Sequence, residues 1–163
     1  MKNFFIVFTM FLTFLTAAFA TETYTLKGGV SIEKVPKDFY GSWRVTSKLQ
    51  SSNNPEIFKK NGVDLWNLSR VHDVISLENP FSGAQASITL DEVRGNFIRF
   101  NKVGNYDGKK LTDSVSINLA KESFSGVNTL KLDTISEIDG HVMKSESAIY
   151  TLVGEKISGS GIK

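Results

Sequence analysis

From Tyr40 onward, apolar residues recur at every second position in short runs, and the runs are separated by turn residues. Leu111, Asp113, Val115, Ile117 and Leu119 alternate with Thr112, Ser114, Ser116 and Asn118. In Tyr40–Leu49, Trp43, Val45, Ser47 and Leu49 fall on one face, and Ser42, Arg44, Thr46 and Lys48 on the other. A strand with one buried and one wet face requires this alternation. Further strands are expected at Leu65–Arg70, Val71–Glu78, Gln85–Leu90, Phe97–Val103, Thr129–Ile138 and His141–Val153. Turns are expected at Asn79–Gly83, Arg94-Gly95-Asn96, Gly104–Gly108 and Asp139-Gly140, where Gly, Pro, Asn and Asp cluster.

Seven or eight short strands with tight turns describe an antiparallel meander. No long helical stretch interrupts them, which argues against parallel crossovers. One short helix is expected in the first long loop. Asn54 suits its N-cap and Pro55 its first position, Lys59 and Lys60 its end, and Asn61-Gly62 its stop. A meander of this length must close on itself or split into two sheets, because open edges invite aggregation. The expected fold is all-β: a closed antiparallel up-and-down β-barrel of about eight strands, with a sandwich as the competing arrangement. A membrane barrel is disfavoured, because Arg44, Lys48, Lys131 and Glu137 occupy the outer face.

Met1–Ala20 reads as a secretory signal peptide. Lys2 supplies the positive end, Phe4–Phe14 the apolar stretch, and Ala18-Phe19-Ala20 the small-x-small cleavage pattern. The apolar run is short for a membrane span. The domain plan is a signal peptide at 1–20, an N-terminal arm at 21–38 that either holds a short strand at Tyr24–Leu26 or is partly mobile, and a barrel domain at 39–163. No membrane span is expected after cleavage. The expected location is outside the cytoplasm, periplasmic or extracellular.

Composition removes several functions. Half of the 12 phenylalanines lie in the leader, so the mature domain is less apolar than the whole chain. Nineteen Lys and Arg face 17 Asp and Glu, interspersed along the chain. There is no basic stripe of the kind a nucleic-acid partner demands. The absence of cysteine excludes disulfides, thiolate chemistry and Cys-ligated metals. His72 and His141 are the only histidines, and nothing in their spacing brings them to Asp73 as a metal site. No Gly-x-Ser-x-Gly elbow is present outside the letters of the tail at Ser158–Gly161, and Asp91-Glu92 reads as turn charge beside Arg94. No enzyme activity, metal or cofactor is implied.

Gly41-Ser42-Trp43, at the start of the first barrel strand and followed by a long first loop, resembles the lipocalin and calycin signature. The resemblance implies a barrel whose Trp closes the bottom. It also implies a basic residue near the end of the last strand packed across that Trp, and Lys156 lies near that place.

A barrel of eight strands is filled by side chains or holds one small ligand. The expected inward set is Val45, Leu49, Ile75, Leu77, Ile88, Leu90, Ile98, Phe100, Val115, Ile117, Leu130, Leu132 and Tyr150, with Ser47, Ala86 and Ala148 leaving room. Two readings stand. In the first, the protein is an exported carrier of a small hydrophobic or amphipathic ligand. Its binding residues are Trp43, Ser47, Trp66, Ala86, Phe100, Asp113 and Tyr150, with Asp113 as a polar anchor on an apolar face. In the second, the barrel is filled and the protein meets an envelope protein as a calycin-like interaction or inhibitor protein. It would act through the loop Ser51–Asp64, with Phe58 and Trp66 as aromatic anchors.

Overall fold

The computed structural model describes residues 30–159 and 161–162. The expected leader and the Tyr24–Leu26 strand lie outside the described residues. Among those residues the strands are β1 (Gly41–Ser52), β2 (Asn61–Val71), β3 (Val74–Asn79), β4 (Ala84–Arg94), β5 (Phe97–Tyr106), β6 (Lys109–Leu119), β7 (Ser123–Ile135), β8 (Val142–Ser158) and the two-residue β9 (Gly161–Ile162). Each of β1 to β7 pairs antiparallel with the next. β1 also pairs with β8, and this closes an up-and-down barrel. After β8 the tail crosses the start of β1 and lies parallel to β2 at Ser69 and Arg70.

The strand boundaries differ from the sequence expectation in ways the side chains explain. A turn at His72-Asp73 separates β2 from β3, with His72 at φ 53°. β7 begins at Ser123, well ahead of Thr129, because Phe124, Gly126 and Asn128 extend the inward register of Leu130. In the first loop the Asn54-Pro55 signal produces one turn, with Ile57 N–H donating to Asn54 O and Glu56 N–H to Asn54 Oδ1. The 3-10 helices lie ahead of β1, at Ile32–Lys34 and Lys37–Phe39. Ile32 and Val35 are buried in the core, so the packed part of the chain starts before Phe39.

One end of the barrel is solid. Phe39, Tyr40, Trp43, Trp66, Phe100 and Phe124 are all buried there. Phe39 meets Phe100 edge-on with ring centres 5.9 Å apart, and Trp66 stacks on Phe124 at 5.9 Å. Trp43 is fully buried and tilts against Phe124 at 5.2 Å. Its Nε1–H donates to Phe39 O at 3.0 Å, so the indole keeps a hydrogen bond in an apolar setting. Lys156 Nζ lies 5.0 Å from the centre of the Trp43 ring and donates to Asp38 O at 2.7 Å. This is the position where the lipocalin resemblance expects a basic residue. Burying each large ring contributes about 2–3 kcal/mol, so this cluster is a major part of the core.

Gly41 has a structural reason. Its φ is +123°, and a Cβ there would collide with the carbonyl oxygens of Ser158 and Gly159 as the tail crosses over. Gly83 also has a positive φ, but open space surrounds it. Gly41→Ala is therefore expected to lower stability by about 2–4 kcal/mol, against about 1 kcal/mol for Gly83→Ala. Urea unfolding of the two variants checks this, and equal losses would count against the crossover.

Candidate functional site

Above the aromatic end the barrel is open. Two adjoining cavities, of about 250 and about 290 Å³, share Asp64, Lys102, Leu111 and Asp113 as walls and form one cup. The mouth is ringed by the first loop and by the turns after β3, β5 and β7. Above the aromatic floor the wall is mixed, with Leu77, Leu111 and Leu130 beside Asn61, Asn79 and Gln85.

The polar tier arises from charged and amide residues placed in inward register. On β5, Lys102 follows Ile98 and Phe100 on the inner face. On β6, Asp113 precedes Val115 and Ile117 on the inner face. Lys102 and Asp113 are direct partners across the two strands. Lys102 Nζ stands 2.8 Å from Asp113 Oδ2 and 5.8 Å from the centre of the Trp66 ring. The Asp113 side chain is only 6% exposed. Among the described residues its Oδ1 has no hydrogen-bond partner, and neither has the buried Asn128 Oδ1. Asp64 lines the cup on β2, its carboxylate accepting from Asn79 Nδ2–H.

Nearer the mouth, Tyr150 Oη–H donates to Lys59 O at 3.1 Å, tying β8 to the first loop. Burial raises the Tyr150 pKa. The loop is held again by Glu146, whose Oε1 accepts from Asn54 Nδ2–H at 2.5 Å and pairs with Lys144 Nζ at 2.6 Å. Lys144 first, then Asn54, holds the Glu146 carboxyl below its ordinary value.

The expected site residues divide into two groups. Ser47, Trp66, Asp113 and Tyr150 line the larger cavity, and Ala86 lines the adjoining one. Trp43 and Phe100 lie beneath the cup, fully buried in the aromatic cluster, and do not line it. The loop-anchor reading is corrected at both of its residues. Phe58 and Trp66 are 8% and 4% exposed, because each folds inward onto the apolar core and neither is presented to solvent. Other large apolar residues are exposed near the mouth, among them Ile57, Phe81, Tyr106 and Ile138, one on each of its four connections or at its edge. His72 and His141 sit in turns at opposite ends of the barrel, so the fold does not bring them together.

Sequence reasoning missed Lys102, Asn128 and Asp64. The signal was present for two of them. Lys102 stands two residues after Phe100, and Asn128 two before Leu130, so each occupies an apolar register with a polar side chain. No protein-family model, curated protein or solved structure matches this chain.

The Glu146 link has a definite pH dependence. Its folded-state pKa lies below the ordinary 4.5, so the stability it contributes is present above that value and is lost as pH falls through the folded value. Amides of the loop Asn53–Lys60 are expected to lose hydrogen-exchange protection on acidification below pH 4.5, sooner than amides of β6. In Glu146→Gln the loop should already be less protected at neutral pH, with the acid-dependent step removed. An unchanged acid step in that variant would assign it to another group.

Proposed function

We propose that this protein is an exported binding protein that holds a small amphipathic molecule, non-covalently, in the cup at the open end of its barrel. The observation that carries this reading is the cup itself. It is walled by β-strands, floored by a solid aromatic cluster, and lined by both aliphatic and hydrogen-bonding side chains. Small-molecule sites have this composition: apolar walls for affinity and a few placed polar groups for orientation. The leader-like sequence Met1–Ala20 supports export. Gly41-Ser42-Trp43, with Lys156 over the Trp43 ring, supports kinship with lipocalin-like carriers. No reaction is assigned to the site.

A second reading is favoured by the mouth. Phe81 is 85% and Ile138 97% exposed at two of its turns. Exposed apolar side chains at loop tips suit contact with an envelope protein.

Binding of the neutral probe N-phenyl-1-naphthylamine separates the two readings. The carrier reading expects saturable one-to-one binding with a change in Trp66 emission. Ser47→Trp, which places an indole in the cup, should weaken it by about tenfold or more, or roughly 1.4 kcal/mol. Phe81→Ser and Ile138→Ser should leave it within about twofold. Probe binding that follows Phe81 and Ile138 and ignores Ser47→Trp would sink the carrier reading.

A further inference from the structure

The polar tier of the cup is lopsided. Its ammonium is already engaged, since Lys102 Nζ is paired with Asp113 Oδ2 and lies against the Trp66 ring. Among the described residues three buried polar atoms lack a partner: Tyr40 Oη, in the aromatic end, and the two acceptors of this tier, Asp113 Oδ1 and Asn128 Oδ1. Asp113 is 4% and Asn128 9% exposed, and both line the larger cavity. They are close to each other. Asp113 pairs with Leu130 across β6 and β7, and Asn128 lies two residues along β7 on the same face. Such diagonal neighbours have backbones about 7–8 Å apart, so one small head group between them can reach both side chains.

A buried acceptor without a donor costs free energy, and a donor-rich ligand removes that cost. We infer that the cup recognises a cationic, hydrogen-bond-donating head group, that of a primary-amine amphiphile, seated between Asp113 and Asn128. The inference rests on the carrier reading and specifies its ligand class. A primary ammonium has three N–H donors and no acceptor, which complements two acceptors of which one belongs to a carboxylate. A hydroxyl head has one donor and serves only one of them. A carboxylate head has none and meets Asp113 Oδ1 as a like charge. Leu111 and Leu130 stand on the mouth side of Asp113 and Asn128 in the same inward registers, where a short alkyl chain would rest.

The test is calorimetric titration of the protein, at neutral pH and low salt, with three probes of equal chain length: octylammonium chloride, 1-octanol and sodium octanoate. The expected order is octylammonium, octanol, octanoate, with at least about tenfold between the first and the last. Asp113→Asn should weaken octylammonium by about tenfold and leave octanol within about twofold. Asn128→Leu should weaken octylammonium without disturbing the Lys102–Asp113 pair. The probe series on the unaltered protein needs no variant to fold. Octanol or octanoate binding as tightly as octylammonium overturns this inference and leaves the carrier reading standing. No binding of any of the three overturns both.

Discussion

Trp43 stands where β1 begins, and the closed end of the barrel is assembled around its indole. The ring is fully buried, its N–H is satisfied by Phe39 O, and Lys156 from the last long strand covers it. Those contacts draw together the 3-10 turn before β1, β1 itself and the end of β8. These are the segments that must meet for the sheet to close. Two residues earlier Gly41 lets the tail pass directly over the same strand. Closure of the sheet and burial of the aromatic cluster therefore draw on the same segments. The exposed Arg44–Glu155 pair across β1 and β8 adds little by comparison, since surface ion pairs are weak.

The solid base also explains the shape of the cup. With Trp66, Phe100 and Phe124 filling the lower barrel, the inward positions above them have no side chains large enough to meet in the middle. Ser47, Gly62 and Ala86 are small, and Leu77, Leu111 and Leu130 stay at the wall. The Lys102–Asp113 pair sits at the boundary between filled and open. A buried ion pair is seldom a source of net stability, because desolvation offsets the attraction. On the carrier reading proposed above, its place at the floor of the cavity would serve recognition. Lys102 holds Asp113 by Oδ2, and among the described residues Oδ1 is left without a partner.

Much of this was legible along the chain. Alternation in Leu111–Leu119 and Tyr40–Leu49 marked strands whose inner faces the structure bears out. Asp113 was visible as a polar residue in an apolar register, and it is buried there. Lys102 and Asn128 carried the same mark and were passed over, because a charge or an amide within a mixed strand reads as solvent-facing unless its register is counted. Phe58 went the other way. A phenylalanine in a polar loop looks exposed, yet Tyr150 and Glu146 pull that loop against β8 and turn the ring inward. The first loop holds one turn in place of the short helix, because both its ends are fixed to strands and its Asn54 side chain is engaged by Glu146.

By itself the sequence determined what is local. It set the two-residue period that assigns each side chain to a face, the turn residues that break the strands, and the absence of cysteine that leaves the core to hold the fold. Only the tertiary structure decided which inward residues meet. Lys102 reaches Asp113, and Asn128 lies diagonal to Asp113, through the registers of β5 with β6 and β6 with β7. The tail finds β2 only because Gly41 lets it cross. The physical reason is that a side chain's face follows from its own backbone, whereas its neighbours across a sheet depend on hydrogen-bonded register and on closure between ends that are distant in the chain.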